Sequence, residues 1–80
     1  MEYNEVEARV YKILRNFEVD LFKFNMKDSF ENLNFDEFET INLITALENE
    51  FRIVLPEYIF DNMRSCQDFA EYIIKDGKAF

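Results

Sequence analysis

Apolar residues recur at helical spacing along most of the chain. In the first such segment, the apolar stripe consists of Val6, Val10, Ile13, Leu14 and Phe17. Asn4 and Glu7 have the three-residue separation of an N-cap and its capping-box partner. This segment is therefore predicted to form a helix of about four turns with one apolar face.

A second amphipathic segment begins at Asp36, where Glu39 repeats the capping-box separation, and extends to about Arg52. Its apolar stripe consists of Phe38, Ile41, Ile44, Leu47 and Phe51. Between the two segments, residues 18–34 lose the helical period but keep the apolar residues Leu21, Phe22, Phe24, Met26, Phe30 and Leu33. A connection this long suits a small domain only when its own side chains pack on the bundle, so we expect these residues to lie against the helices.

The last third of the chain contains two shorter helical segments. Pro56 suits the first turn of a short third helix over residues 56–63, because proline lacks only a backbone N–H that has no partner there. Ser65 and Asp68 are predicted to cap the last helix, and Gly77 to end it. The residues that this helix directs inward are Phe69, Tyr72 and Ile73.

The pattern thus predicts one all-α domain over residues 1–80, a four-helix bundle with a short third helix and a long first connection. Hydrophobic residues make up 49% of the chain, enough for a core. A net charge of −8 disfavours nucleic acid and anionic lipid and favours a basic partner surface. Cys66 is expected to be a buried thiol, and because histidine is absent we predict no catalytic residue and no metal site.

The hydropathy of the chain predicts no membrane span, and its first residues do not resemble a targeting segment. No apolar run approaches the roughly 20 residues of a membrane span, so direct membrane insertion is not expected. The first residues also lack the basic, acid-poor character of a targeting segment. If the protein works in an organelle, we expect its targeting signal to be cleaved or internal.

Residues 33–56, LNFDEFETINLITALENEFRIVLP, resemble the recognition helix of acyl carrier proteins. That family has Asp-Leu-Gly-x-Asp-Ser-Leu-Asp where this chain has residues 32–39, NLNFDEFE. Residues 46–51, ALENEF, are similar to the family's Ala-Leu-Glu-x-Glu-Phe. The resemblance covers nearly the whole chain, and the segments ARV at 8–10 and CQDFAEYI at 66–73 look most like the mitochondrial branch.

The chain departs from the family at Glu37, where the family has the serine that carries phosphopantetheine. A carboxylate offers no hydroxyl for that transfer, and Ser29, Ser65 and Thr40 are not expected to substitute, so no cofactor is predicted. Asn34 replaces the turn glycine and tolerates a left-handed backbone. The rings of Phe35, Phe38, Phe60 and Phe69 fall at or near the acyl pocket of a carrier, between the second and third helices. They suggest a pocket filled by protein, with sequence drift as the equal alternative.

The resemblance implies a role in protein binding. Its proposed contact residues combine acidic and apolar side chains of the second and third helices, and they are Asp36, Glu37, Glu39, Ile41, Leu43, Glu48, Glu50, Glu57, Phe60, Asp61 and Met63. Such a surface suits a basic helix. An ordinary solvated acidic face is the alternative, and for Glu37 itself that alternative is a favourable interaction with the helix dipole.

The family habit implies a non-enzymatic accessory subunit of a mitochondrial assembly, respiratory complex I, on the matrix side of the inner membrane. Its partner there would be a helical protein of the Leu-Tyr-Arg class. The alternatives are a subunit of another assembly such as the mitochondrial ribosome, a genuine carrier in fatty-acid or lipoate synthesis, and a free decoy for carrier-using enzymes.

Overall fold

The computed structural model describes residues 2–76, and of Asp76 the backbone alone. This part of the chain forms four α-helices: α1 (Tyr3–Leu14), α2 (Glu37–Phe51), α3 (Glu57–Asp61) and α4 (Cys66–Asp76). A 3-10 turn, Arg15–Phe17, extends α1. The predicted all-α bundle, with its short third helix and long first connection, is confirmed. Gly77, the predicted end of α4, lies outside the described residues.

The helix starts were predicted with mixed success. Asn4 is not the cap of α1, because the helix begins one residue earlier, after an extended Glu2 that makes no side-chain capping bond. The Glu2 carbonyl accepts the N–H groups of Glu5 and Val6, each at 3.1 Å, and the Tyr3 hydroxyl in this first turn donates to Gln67 Oε1 on α4 (2.5 Å). Pro56 precedes α3 in an extended conformation rather than lying in its first turn. The Ser65 hydroxyl does accept the Asp68 N–H, as predicted (3.3 Å).

The core lies where α1 packs against α2 and α4. Its fully enclosed side chains are Val6, Val10, Leu14, Leu43, Ile44, Leu47, Phe51, Cys66, Phe69, Ala70 and Ile73. Within it, the rings of Phe51 and Phe69 lie 5.3 Å apart. Burial raises the pKa of the Cys66 thiol to about 12, so the expected structural cysteine is confirmed.

The long connection between α1 and α2 packs on the bundle through some of its apolar residues. Phe24, Met26 and Phe30 are buried, and the rings of Phe24 and Tyr11 pack nearly perpendicular to each other at a centroid distance of 5.3 Å. Phe22 was predicted to pack but is fully exposed, because Asp20 Oδ1 accepts the Phe22 N–H in a tight turn.

Two backbone hydrogen bonds join this connection to the start of α4. The Phe30 N–H donates to the Arg64 carbonyl and the Gln67 N–H to the Met26 carbonyl, each at 2.9 Å. They hold the connection beside the ends of α2 and α3 that form the candidate site. Among residues 2–76, no helix is both long and apolar enough to cross a membrane.

Candidate functional site

The start of α2 is shaped by a complete capping box. Asp36 Oδ1 accepts the Glu39 N–H at 2.7 Å, and Glu39 Oε1 accepts the Asp36 N–H at 3.5 Å. Two residues before the cap, Asn34 has a φ of 62°, so asparagine adopts the left-handed turn in which the family has glycine. The predicted helix start is therefore confirmed.

Glu37 is the first residue of α2 and is exposed to solvent. Its carboxylate makes no hydrogen bond or ion pair with any other described residue. A negative charge in the first turn of a helix is favoured by the helix dipole, by about 0.3–1 kcal/mol. The residue is thus well tolerated by the fold and presents a free carboxylate.

The hydroxyl groups near position 37 are held differently from Glu37. Ser29 is half-buried and its oxygen accepts the Asn32 N–H at 3.0 Å, while Ser65 is buried and caps α4. Thr40 is half-buried in the second turn of α2. Thr45 is exposed but lies about 12 Å further along the helix. None of them lies at the exposed first position of α2 that Glu37 occupies.

A groove of about 390 Å³ opens between the start of α2, α3 and the long connection. Its lining residues are Ser29, Phe30, Glu31, Phe35, Asp36, Glu37, Thr40, Ile41, Ile44, Phe60, Asp61, Met63 and Arg64. This hollow is an open surface groove lined by polar and apolar residues alike, so the rings of Phe35 and Phe60 border the predicted site and do not fill it.

The four rings predicted to fill that site lie in different places. Phe35 and Phe60 are half-buried and line the groove, and Phe69 lies in the core against Phe51. Phe38 is 77% exposed on the surface of α2. It shares a helical face with Asn42, Thr45, Asn49 and Arg52, which are all exposed. This polar spacing was a signal for its exposure.

The predicted acidic face is divided in the structure. Asp36, Glu37, Glu39, Glu57 and Asp61 are exposed as expected. Glu39 lies on a different hollow from Glu37, one of about 440 Å³ that it shares with residues of the long connection. The exposed acids among the predicted contact residues therefore lie at the start of α2 and on α3.

The two acids of the second half of α2 do not belong to that face. Glu48 is half-buried, and its Oε2 accepts the Leu55 N–H at 2.7 Å, which closes the loop after α2. Glu50 faces α1, where its two carboxylate oxygens bind Lys12 Nζ and Arg9 Nε, each at 2.9 Å. Hydrogen bonds from Lys12 and Arg9 hold the pKa of Glu50 below its ordinary value. Both residues were wrongly placed among the contact residues, since their carboxylates are used within the fold: that of Glu48 by the loop after α2 and that of Glu50 by α1.

The predicted apolar contacts divide in the same way. Ile41 is 40% exposed and Phe60 is half-buried, and both line the groove. Leu43 is fully enclosed in the core, so it is not a surface contact. Met63 is buried but lies against the groove. Sequence reasoning missed Arg64, which is exposed and lines the groove.

The chain is similar to acyl carrier proteins over most of its length. It is 32% identical to the acyl carrier protein of Bdellovibrio bacteriovorus over 68 residues, covering 84% of this chain and 87% of that protein. The chain belongs to the acyl carrier protein family. No protein-family model matches the chain, so the assignment rests on its similarity to individual relatives.

Two further relatives of the chain are named as mitochondrial acyl carrier proteins. Acyl carrier protein 2, mitochondrial, of Arabidopsis thaliana is 30% identical over 81 residues, which cover 99% of this chain and 64% of the plant protein. A candidate mitochondrial acyl carrier protein of Schizosaccharomyces pombe is 30% identical over 78 residues, which cover 94% of this chain and 70% of the yeast protein. The chain thus spans less than two thirds of the plant protein's length.

Proposed function

We propose that this acyl carrier protein homologue is a non-catalytic accessory subunit of a mitochondrial assembly, respiratory complex I, on the matrix side of the inner membrane. It binds a basic helical protein of the Leu-Tyr-Arg class there without a phosphopantetheine arm. The mitochondrial names of two relatives support the location. The family's habit of serving as a subunit supports the assembly.

The observation that carries this proposal is Glu37 at the first position of α2. In a carrier of the family's ordinary pattern, a serine at this position bears the arm. Here the helix start is intact, the cap is formed and the side chain is exposed, yet the group is a carboxylate. A protein that keeps this surface and lacks the attachment atom retains the means to bind a partner and not the means to carry an acyl group.

The charge distribution supports a basic partner. Asp36, Glu37, Glu57 and Asp61 are exposed on neighbouring parts of α2 and α3, in a chain of net charge −8. Fields of this kind accelerate association with a positively charged surface and fix its orientation. The exposed rings of Phe38 and Tyr58 provide apolar contact area on the same two helices.

The groove beside Glu37 favours a second candidate function, a genuine carrier in mitochondrial fatty-acid or lipoate synthesis. A hollow of about 390 Å³ is large enough for part of an acyl chain. This candidate requires attachment at a residue other than Glu37. A subunit of another mitochondrial assembly, such as the ribosome, is the alternative to complex I.

Purification of the tagged protein from its native source distinguishes these candidates. We expect it to elute within a large complex, to copurify with a small basic helical protein and complex I subunits, and to have the mass of the bare polypeptide. A species heavier by one phosphopantetheine would establish the carrier instead. Elution as the free chain would favour a decoy. Copurification with ribosomal proteins would identify the assembly as the ribosome and not complex I.

A further inference from the structure

The side of α2 that faces away from the core carries no acid, although the chain has 17 acidic residues. Its exposed residues follow one another at alternating spacings of four and three, and they are Phe38, Asn42, Thr45, Asn49 and Arg52. Together they form the outer face of α2. At about 100° of rotation per residue, the four acids of the helix lie about 80° or more from the middle of this face, and they are Glu37, Glu39, Glu48 and Glu50.

The polar groups of the outer face are not used within the fold. The side chains of Asn42, Thr45 and Asn49 make no hydrogen bond with another described residue, and the Arg52 guanidinium makes no ion pair within residues 2–76. Alternating spacings of four and three are those by which two helices pack side by side in a coiled coil. The outer face therefore has the spacing and the unused donors and acceptors of one half of a helix pair.

The outer face is complementary to itself when two copies of α2 run in opposite directions. A two-fold axis at Thr45 makes residues at equal distances before and after it face each other. Phe38 and Arg52 each lie seven residues from Thr45, and Asn42 and Asn49 lie three and four residues from it. An arginine of one copy then lies over a phenylalanine ring of the other, which is a favourable cation–π contact. The asparagine amides face each other and can exchange hydrogen bonds.

The charges of α2 favour the same antiparallel arrangement. Glu37 precedes Phe38 and has a free carboxylate, so Arg52 of the second copy lies beside an unpaired acid as well as a ring. By the same symmetry the other three acids of the helix face uncharged residues: Glu39 faces Phe51, Glu48 faces Asn42 and Glu50 faces Thr40. In a parallel pair, Glu37 would face Glu37 and Arg52 would face Arg52, and both contacts are repulsive. Charge therefore selects the antiparallel pair.

We propose that the outer face of α2 is the interface of a homodimer, in which two copies of the chain pair antiparallel about Thr45. The 15 residues of α2 give a face about 22 Å long and about 10 Å wide. This area is small beside the roughly 800 Å² per partner of a standard interface, so the dimer is transient, with a dissociation constant of about 0.1–1 mM. The inference does not rest on the proposed function. Because the dimer covers Glu37 and Phe38, it excludes any complex that uses the start of α2.

A concentration series of the purified 80-residue chain tests for the dimer. Between about 0.02 and 2 mM, the mass from sedimentation equilibrium should rise from that of one chain towards that of two. Over the same range, we expect the amide NMR signals of the outer face to shift. The signal of Phe22, an exposed ring on the long connection, should remain in place. A mass of one chain throughout, or shifts confined to residues off the outer face, would overturn the proposal.

Charge reversals test which residues face each other. Glu37→Lys and Arg52→Glu each place like charges together at both ends of the pair, so each should weaken self-association at least about fivefold. Glu5→Lys is the matched control, because Glu5 is also an exposed acid in the first turn of a helix, α1. It should leave the dissociation constant unchanged within about twofold. Equal effects of Glu37→Lys and Glu5→Lys would assign the change to net charge and overturn the interface.

A mixture of the two reversed variants tests the antiparallel register directly. In a mixed pair, the lysine introduced at position 37 faces the glutamate introduced at position 52, and the native Arg52 faces the native Glu37. The mixture should therefore associate about as tightly as the wild type, and so should the double variant Glu37→Arg, Arg52→Glu, each with an unchanged circular dichroism spectrum. A mixture that associates no more tightly than its components would overturn the pairing. These measurements use the free chain, so their failure leaves the accessory-subunit function intact.

Discussion

Replacing Phe38 with alanine should have little effect on stability, although the apolar stripe of α2 assigns this ring to the core. The side chain is 77% exposed, so about a quarter of it is in contact with the protein. A phenylalanine side chain buries about 200 Å² when fully enclosed. The remaining contact of about 50 Å² corresponds to at most about 1.2 kcal/mol. Alanine's higher helix propensity returns about 0.5 kcal/mol, which leaves a loss below about 1 kcal/mol.

Phe51→Ala is the matched comparison on the same helix. Phe51 is fully buried, and its ring lies 5.3 Å from Phe69 and 4.2 Å from the Arg9 guanidinium carbon. Truncating such a ring costs about 3–5 kcal/mol. The two variants should therefore differ by at least about 2 kcal/mol in the free energy of unfolding.

Urea titration followed by far-ultraviolet circular dichroism measures both losses, and an unchanged slope would show that the same surface is exposed on unfolding. Phe22→Ala, at another exposed ring, serves as a neutral control. In the native complex, Phe38→Ala should weaken partner binding about tenfold or more, since an exposed aromatic anchor is a typical hot spot. A loss of stability equal to that of Phe51→Ala would refute the placement of the ring, and undiminished binding would refute its role as an anchor.

Four further outcomes can be measured on the isolated domain. Arg9→Ala should lower the free energy of unfolding by about 2–3 kcal/mol, because Arg9 donates to the Glu50 carboxylate and carbonyl and covers a ring, whereas Lys12→Ala, at a 65% exposed side chain, should cost about 0.5 kcal/mol; equal losses would contradict this. Since the pKa of Glu50 is lowered on folding, its contribution should be complete above the unfolded pKa of about 4.3 and lost as the pH falls through the folded value; Glu50→Gln should flatten this acid limb of the stability profile. The Cys66 thiol, with a pKa of about 12, should resist alkylation at pH 8 in the folded protein and react once it is unfolded in urea; rapid reaction of the native form would contradict its burial. Arg52→Gly should raise the midpoint of urea unfolding, by about 0.5–1 kcal/mol in free energy, because Arg52 ends α2 at a φ of 56°; destabilisation would show that the arginine side chain has a role of its own.

Local signals in the sequence were sufficient for the helices. The capping box of Asp36 and Glu39 lies within four residues, so the start of α2 could be predicted without tertiary information. The stripe from Ile44 to Phe51 was also predicted correctly, because one face of a helix has a fixed period. Phe38 was wrongly assigned to the core because the ring is hydrophobic. Its neighbours on the same helical face, Asn42 and Thr45, are polar and indicate an exposed face.

The site depends on contacts that have no local signal. Glu50 binds Arg9, which lies 41 residues away in sequence, and nothing in the residues around Glu50 indicates that partner. The volume of the groove depends on the separation of α2 and α3 and on the rotamers of Phe35 and Phe60. Neither can be read from composition, which is why counting rings predicted a pocket filled by protein.

The structure explains how the family's attachment residue can be absent while the helix that bore it remains. The cap of α2 is made by Asp36 and Glu39, and position 37 supplies nothing to it. A carboxylate there even interacts favourably with the helix dipole. A carboxylate at position 37, where the family has serine, therefore costs the fold nothing.

The acids around the groove, unlike the capping residues of α2, do not stabilise the free domain by pairing. Glu37 and Asp61 gain nothing from each other or from Arg64 in the free domain, and like charges at one rim repel. A cationic group of the proposed partner near these acids would reduce that repulsion. Partner binding should therefore stabilise the domain by more than the burial of apolar area alone would. If the proposed basic partner binds at these acids, a charge-matched partner should therefore raise the free energy of unfolding more than a neutral one of equal contact area.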